Sequence, residues 1–551
     1  MIGQVSAPAV ERRSPSALGG ALARGWWAVP LVVAVVYLVT FATQFSQIVA
    51  GVYMGADAAS APVLGQLFHA SGGIVLLGHL GWYSALLFEV WTRWLPGHRQ
   101  LWEFAPYALA LCSAGIMGWG VSRIAGRWGA AITVTLLICL GPATLSLLLV
   151  LNDHSETWFT VALLSGLLVA LEEWPPRYAR WPLVLLSGVV GVVLGLNAAS
   201  DKLLLVAGAG PLLIALALTW VWLPSDRSRR AALHGLACAA TAIVSYALLK
   251  ALMNHWHVVT ALDTNTTVYA GAGAIRGNFE LWWQSIATLA NGEFFGLQIG
   301  FTSTLEFVCA VMAIVAVALA VRQAWRTIMS AATTRGEPRT SPRRLDLAWA
   351  IYWGTSLVAL SSVFIASGMP EGPPSNRYLV GILLAVAALV PLVARGSTGT
   401  RAIATGAVTL YAFTGWLGLI DHTLIRSEAG SPSYTLANAV AQVARREHLA
   451  VGYGSYLDAA PITWATHTQV KLFPVDDCDG NQHLCAYEQH IMTSWYTPRQ
   501  GVKTFLLTDP GFTVAGSAPT PDLGKPLAVH QFGAVTMYVY PYDIAARLYA
   551  L

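Results

Sequence analysis

The sequence predicts a mainly α-helical membrane protein with a small α/β domain at its C-terminus. Of its 551 residues, 56% are hydrophobic and only 11% are charged, a balance typical of chains that cross a bilayer repeatedly. A single helix needs about 20 apolar residues to cross the hydrocarbon core, and eleven runs of about that length occur before residue 421. The chain beyond that point carries short β-like runs instead.

The apolar runs divide the chain into three regions. The first run is too long for a signal-peptide core and no small-residue cleavage pattern follows it, so we expect it to stay as a signal anchor. We therefore expect a cytoplasmic tail at 1–25, a polytopic membrane domain at 26–420 and an extracytoplasmic α/β domain at 421–551. The predicted spans lie near residues 27–48, 104–124, 129–150, 158–173, 182–199, 203–223, 231–253, 301–321, 346–367, 378–395 and 402–420.

Basic residues alternate between the two sets of connections in the way that the positive-inside rule requires. If the N-terminus is cytoplasmic, every cytoplasmic segment carries at least two arginines, from Arg12 and Arg13 to Arg395 and Arg401. Eleven spans then place the C-terminus outside. The excess of arginine over lysine is expected from a GC-rich genome, so we assign the protein to a bacterial cytoplasmic membrane.

The long first outer loop, 49–103, is expected to contain interfacial helices. In SALLFEVWTRWL, the residues Leu87, Val90, Trp91 and Trp94 form an apolar stripe at helical spacing, the pattern of an amphipathic helix that lies in the membrane interface. A shorter interfacial helix is expected in PVLGQLFHA. A span over 73–91 is the alternative, but it would invert every later loop and destroy the arginine asymmetry.

The C-terminal region combines a helical pattern with short strands. TLANAVAQVARREHL has helical spacing, and the runs AVGYG, QVKLFPV, TFLLTD and VTMYVYPY read as strands, an order that predicts a small α/β domain. Cys478 and Cys485 are its only cysteines. In an extracytoplasmic domain such a pair predicts a disulfide, with two free thiols as the alternative.

Polar residues collect in the predicted outer loops, at the ends of spans. LNDHSETWF, 151–159, places Asp153, His154 and Glu156 between two apolar runs with no lysine or arginine beside them. Acidic groups next to hydrocarbon are costly unless they face water or serve a function. Further outer polar segments are VYMGADAASAPVLG, NAASDK, ALDTNTTVYAGAGAIRGNF and EGPPSNRY.

This arrangement resembles the GT-C superfamily of membrane glycosyltransferases. The resemblance is carried by an acid soon after span one, an acidic second outer loop, a basic residue before a late span, and a soluble outer tail. Protein O-mannosyltransferases, the lipid A aminoarabinose transferase and mycobacterial arabinosyltransferases belong to it. The resemblance implies a polyprenyl-phosphate sugar donor and usually inversion at the anomeric carbon. Members often carry paired acids in the first loop, whereas GADAAS has only Asp57.

Transfer of such a sugar needs a base for the acceptor hydroxyl and cations for the departing phosphate. Asp57 is the candidate base, with a solvated loop aspartate as the alternative. Asp153, His154 and Glu156 are candidates to bind sugar or acceptor hydroxyls, and Asp153 and His154 could instead support the base. Helix capping or a solvated loop explains such residues equally well. Candidate phosphate ligands are Lys202 and Arg377, each of which could instead extend to the interface. Weaker substrate-binding candidates are Asp263, Arg276 and Tyr378.

Other classes of protein fit the sequence less well. A transporter or lipid flippase is the main alternative, but it predicts repeated halves and charges near mid-membrane, neither of which occurs. A non-catalytic envelope-assembly protein would not need acids in several outer loops. No Walker, zinc or dinucleotide motif is present, so we expect no cofactor and no nucleic acid. A divalent metal is the alternative, but no residue pattern supports it. The expected partners are the bilayer, a lipid-linked sugar donor and a glycan, lipid or protein acceptor.

Overall fold

The computed structural model describes residues 28–67, 73–77, 99–150, 154–173, 180–261, 268–333, 341–368, 370, 372–420, 432–478, 483–488, 490–509 and 521–549. Its first half contains these helices: α1 (Ala28–Val52), α2 (Ala56–Leu67), α3 (Arg99–Ile138), α4 (Pro142–Leu149), α5 (Glu156–Glu173), α6 (Arg180–Ser200), α7 (Gly210–Trp222) and α8 (Asp226–His255). The later helices are α9 (Ala272–Leu289), α10 (Phe301–Thr333), α11 (Ser341–Ala366), α12 (Val380–Val393), α13 (Thr398–Ile420), α14 (Tyr434–Arg446) and α15 (Tyr456–Ala465).

All eleven predicted spans fall on helical segments. The second lies in the first half of α3, and the third begins in the second half of α3 and continues into α4. Helix α3 reverses direction at Gly126. Gly126 has φ 74°, a left-handed conformation that glycine adopts without the steric cost of a Cβ. The two halves pack against each other so closely that a Cβ on Gly118 would lie 2.5 Å from the Val134 side chain.

The chain is a multi-pass membrane protein. Nine helices in the described residues are long and apolar enough to cross a membrane. That number counts α3 once and leaves out α5, whose 18 residues include three glutamates. The mainly helical fold with a small C-terminal sheet confirms the predicted fold class, while the number of eleven spans stays a prediction.

One end of the helix bundle, which we call the arginine end, gathers the loops predicted to be cytoplasmic. Its polar contacts join the turn inside α3 to the end of α5, and the α12–α13 connection to the start of α11. They are Arg123 Nε to Glu173 at 3.2 Å, Arg395 Nη1 to Asp346 at 2.9 Å, Arg395 Nη1 to the Ile124 carbonyl at 3.2 Å, and Arg344 to Ser225. These contacts place alternate connections on the same side of the bundle, as the arginine pattern predicts.

The opposite end, which we call the Asp57 end, is held together by a small sheet from three distant parts of the chain. Strand β1 (Ile74–Leu77) of the first outer loop pairs in parallel with β2 (Val258–Ala261) after α8, and antiparallel with β6 (Ile491–Met492) of the C-terminal region. The first loop, the α8–α9 connection and the C-terminal domain therefore lie at one end of the bundle. This is the grouping that the predicted topology requires.

The C-terminal domain is built on a six-stranded sheet in the order β5-β4-β3-β7-β9-β8. Strands β3 (Val451–Gly454), β4 (Lys471–Asp477) and β7 (Thr504–Thr508) are parallel, whereas β5 (Leu484–Ala486), β8 (Ala528–Phe532) and β9 (Val535–Tyr540) join antiparallel. β3 connects to β4 through α15, and α14 precedes β3. The strand and helix runs read from the sequence all appear here.

The predicted outer loops are described only in part, and one of them contains a helix. The amphipathic helix expected around 87–94 and the tail 1–25 lie outside the described residues, as does the 420/421 domain boundary. Residues 272–289, read from sequence as part of a long loop, form the helix α9. Its aromatic residues follow helical spacing, which the interpretation of this segment as a loop did not use. The rings of Phe279 and Trp282 stack with 5.7 Å between their centroids.

The cysteine pair at the tip of the C-terminal sheet consists of two free thiols in this structure. Cys478 lies just beyond β4 and Cys485 on the adjacent β5. Burial raises the pKa of the Cys485 thiol to about 12, and the Cys478 thiol adds to the shift through a hydrogen bond and its charge. The two side chains thus interact directly, and the disulfide stays a prediction.

The membrane topology can be tested with reporter fusions. An alkaline phosphatase fused after Leu551 should be active, because the C-terminal domain lies at the Asp57 end, opposite the arginine-rich loops. A matched fusion after Arg395, at the arginine end, should be inactive. Activity in the second fusion alone would reverse the orientation and place the polar cluster described below in the cytoplasm.

Candidate functional site

Asp57 lies at the start of α2, directly after the first membrane helix. Aspartate is favourable in the first turn of a helix because its charge interacts with the unpaired N–H groups there. Most of α2 beyond Asp57 is buried, and the helix packs against α15 of the C-terminal domain. The carboxylate is therefore held at the boundary between the membrane domain and the C-terminal domain.

The two oxygens of Asp57 have different partners. Oδ1 accepts a hydrogen bond from the Tyr456 hydroxyl at 2.7 Å, and Oδ2 lies 3.7 Å from Arg377 Nη1. The side chain of Asp57 is 42% exposed and that of Arg377 is 21% exposed. Asp57 has no lysine or arginine near it in the sequence, but the fold supplies one.

Arg377 is carried by a short 3-10 helix, Pro373–Leu379, that leads into α12. Proline at the start of this segment fixes the backbone angle, and α9 packs against it. The guanidinium lies over the ring of Tyr378, 5.2 Å from the ring centre. These contacts direct the guanidinium toward Asp57.

A second polar group, centred on Asp201, lies buried at the same end. Asp201 Oδ2 lies 2.6 Å from His154 Nδ1 and also accepts a hydrogen bond from the Thr157 hydroxyl. The Leu203 N–H donates to Oδ1 at 2.8 Å. Burial by itself would raise the pKa of Asp201, but the charge of His154 and the three hydrogen bonds hold that pKa below its usual value. The pair joins the loop before α5 to the loop after α6.

Tyr378 connects the two polar groups. Its ring centre lies 5.2 Å from that of His154, while its neighbour Arg377 reaches Asp57. Four separate connections of the membrane domain therefore meet here, together with the first turn of α15. We call this set the outer cluster: Asp57, His154, Asp201, Arg377, Tyr378 and Tyr456.

The C-terminal domain adds aromatic side chains around Asp57. Tyr456 stacks on Tyr487 with 4.8 Å between ring centres, and the His490 ring lies 5.8 Å from that of Tyr456. Burial lowers the pKa of His490 to about 4, although the Asp57 charge acts in the opposite direction. His490 is therefore neutral at physiological pH.

The remaining predicted site residues are distributed differently. Glu156 is buried beside the cluster, where the Ser155 hydroxyl lies 3.3 Å from its Oε2. Lys202 is exposed, and its charge acts on Lys250. Among the contacts given for the described residues, none joins Lys202 to Arg377. Arg276 is on an exposed face of α9 with Glu280 3.4 Å away. Asp153 and Asp263 lie outside the described residues.

Three residues of this site were not singled out from sequence. Asp201 belongs to NAASDK, and an acid at a span end is the same signal that identified LNDHSETWF, so it could have been found. Tyr456 and His490 carry no comparable signal, because only the fold of the C-terminal domain brings them to Asp57. Within the described ranges, no three His, Cys, Asp or Glu side chains are placed to bind a metal.

The hydrogen bond from Thr157 to Asp201 should stabilise the fold measurably. Replacing Thr157 with valine keeps the shape but removes the donor to a buried carboxylate, which should lower the free energy of unfolding by about 1.5–3 kcal/mol. Denaturant titration of the detergent-solubilised protein measures this. The control is Thr241→Val, whose hydroxyl bonds only its own helix at the Ala237 carbonyl. Equal stability of the two variants would contradict the expectation.

Comparisons with known proteins give a limited result. No protein-family model matches the sequence, and no curated protein matches it. Among solved structures, the chain is similar to the archaeal oligosaccharyltransferase AglB from Archaeoglobus fulgidus in complex with an inhibitory peptide and a dolichol-phosphate. That similarity has 11% identity and a TM-score of 0.47, and covers 89% of this chain and 70% of that chain.

Two further structures of the Archaeoglobus fulgidus oligosaccharyltransferase are similar. The apo form has 11% identity and a TM-score of 0.47, covering 90% of this chain and 72% of that one. The form tethered to an acceptor peptide containing the NVT sequon has 12% identity and a TM-score of 0.43, covering 82% and 64%. This enzyme belongs to the GT-C superfamily that the sequence resembles. Similarity at this level does not establish the function of this chain.

Proposed function

We propose that the protein is a glycosyltransferase of the bacterial cytoplasmic membrane. It transfers a sugar from a polyprenyl-phosphate donor to a hydroxyl acceptor on the outer face. The observation that carries the proposal is the meeting of Asp57 and Arg377, whose charged groups lie 3.7 Å apart. One is a proton acceptor and the other an anion ligand, which are the two groups that this reaction needs.

The reaction is a single displacement at the anomeric carbon. The acceptor oxygen forms a bond to that carbon while the bond from the carbon to the donor phosphate oxygen breaks. The electron pair of the broken bond leaves with the lipid phosphate, and the acceptor proton passes to Asp57. Attack from the face opposite the phosphate inverts the configuration of the sugar.

Arg377 acts on the charge that develops on the phosphate. The donor is a phosphodiester with one negative charge, and the departing lipid phosphate is a monoester that gains further charge. A guanidinium binds such oxygens through charge-assisted hydrogen bonds and stabilises charge as it develops. When Arg377 binds the donor phosphate, Asp57 loses an ion-pair partner. Its carboxylate is then a better base while the donor is bound.

The position of the site suits a lipid donor. Asp57 follows membrane helix α1 and Arg377 precedes α12, so both lie at helix ends, where a polyprenyl chain can remain among the helices. The C-terminal domain covers the opposite side through Tyr456. Such a boundary lets a membrane-bound donor meet an acceptor that approaches from water.

The test is a transfer assay in proteoliposomes with a panel of polyprenyl-phosphate hexoses and pentoses and a cell-envelope extract as acceptor. We expect sugar transfer and release of polyprenyl phosphate, both dependent on the protein. Movement of intact donor between leaflets, with no cleavage of the sugar–phosphate bond, would reject the proposal in favour of the flippase alternative.

A further inference from the structure

The C-terminal domain contacts the proposed base through the side chain of Tyr456. Tyr456 lies in the first turn of α15, just after the N-cap residue Ser455, and its hydroxyl donates to Asp57 Oδ1 at 2.7 Å. The same carboxylate presents its other oxygen to Arg377. The hydrogen bond from Tyr456 therefore fixes which oxygen of Asp57 stays available to the substrates.

Tyr456 is held in place from several directions. Its ring is nearly parallel to that of Tyr487, at 14° between planes, and the ring of the buried His490 lies 5.8 Å away. Near the other end of α15, Trp464 stacks on Tyr53 of the membrane domain with 5.3 Å between ring centres. Since both ends of α15 contact the segment that carries Asp57, the phenol has little freedom to leave the carboxylate.

We propose that Tyr456 is a positioning residue for the transfer reaction: it holds Oδ1 of Asp57 so that Oδ2 receives the acceptor proton. The assignment rests on the proposed function of Asp57. It makes the C-terminal domain a part of the active site, because the domain supplies the group that orients the base.

The surroundings keep Tyr456 a hydrogen-bond donor. Burial, followed by the charge of Asp57, raises the pKa of Tyr456 well above its ordinary value, so the phenol stays protonated and cannot compete as a base. Among the described residues, the groups that act on Asp57 include Arg377 from the segment before α12, Tyr456 from α15, and Tyr487 and His490 from the C-terminal loops. His490 is neutral, so Arg377 is the one cation in this set.

The test is the pH profile of transfer by Tyr456→Phe, with Tyr542→Phe as the matched control. The Tyr542 hydroxyl bonds the Leu523 carbonyl, away from Asp57. A donated hydrogen bond stabilises the ionised carboxylate, so its loss should move the acid limb of kcat upward by about one pH unit. We expect the control to keep the wild-type profile. A slower variant whose acid limb does not move would overturn the proposal, because loss of packing alone lowers the rate without shifting the limb.

A stability cycle separates this inference from the proposed function. Asp57→Ala, which removes the acceptor of the hydrogen bond, Tyr456→Phe and the double variant are compared by melting temperature in detergent. If the two side chains interact as described, the loss in the double variant should be smaller than the sum of the single losses. Additive losses would overturn the inference even if transfer is observed. A wild-type protein without transfer would instead reject the proposed function, while the cycle still decides whether Tyr456 holds Asp57.

Discussion

Asp57→Asn should retain donor binding and lose at least about a hundredfold in transfer rate, since general-base catalysis contributes about that much or more. The amide has the shape of the carboxylate and its oxygen can still accept the hydrogen bond from Tyr456, but it cannot take up a proton. Loss of the negative charge beside Arg377 also removes a competitor of the donor phosphate. Donor affinity should therefore be unchanged or higher.

The experiment measures donor binding and transfer on the same membrane-inserted preparation, which separates lost chemistry from misfolding. Asp522→Asn is a suitable control, because Asp522 is a C-terminal-domain carboxylate whose partner is His483 at 2.9 Å. It should transfer at the wild-type rate. Near-normal transfer by Asp57→Asn would remove the base from the mechanism.

Arg377→Ala should weaken donor binding by roughly ten- to a hundredfold, because one charge-assisted contact to phosphate contributes about 1.5–3 kcal/mol. Transfer should fall as well, since the same guanidinium stabilises the charge that develops on the leaving phosphate. Binding of a polyprenyl-phosphate analogue in nanodiscs measures the first effect. Lysine at position 377 should restore only part of the affinity, because an ammonium does not bind two phosphate oxygens in the planar geometry of a guanidinium.

Arg446→Ala provides the matched control for charge. Arg446 is an exposed arginine of α14 with Glu447 as its partner at 3.9 Å, so its loss should leave donor affinity unchanged. Lys202→Ala, measured in the same assay, tests the sequence-based prediction that Lys202 also binds the phosphate. Equal affinity of the wild type and Arg377→Ala would reject the phosphate assignment.

The membrane fold could be predicted from sequence because its signals are local and strong. Apolar run length predicted the long helices of the membrane domain, while the number of spans stays a prediction. Arginine placement predicted which loops lie together at one end of the bundle, and the contacts of Arg123, Arg395 and Arg344 join those loops. The C-terminal strands were recognisable for a similar reason. The helix α9 was missed, since glycine residues at its start read as a loop while its aromatic residues follow a helical spacing.

The site could be predicted only in part. Asp57 and Arg377 were found because charges at span ends are costly without a function, but nothing in the sequence shows that they face each other. His154 was found, whereas its partner Asp201 was not, and Asp153 stays a prediction. Tyr456 and His490 could not be found, because a tyrosine in an α/β domain acquires a role at a membrane carboxylate only through the way α15 docks on α2.

The central claim is that Asp57 and Arg377 act together on one lipid-linked donor. A cryo-EM map of the protein with a non-cleavable polyprenyl-phosphate sugar analogue tests it most directly. The phosphate should lie within hydrogen-bond distance, about 2.7–3.2 Å, of the Arg377 guanidinium, with the anomeric carbon facing Oδ2 of Asp57. A phosphate held elsewhere, with Asp57 and Arg377 still paired to each other, would contradict the claim.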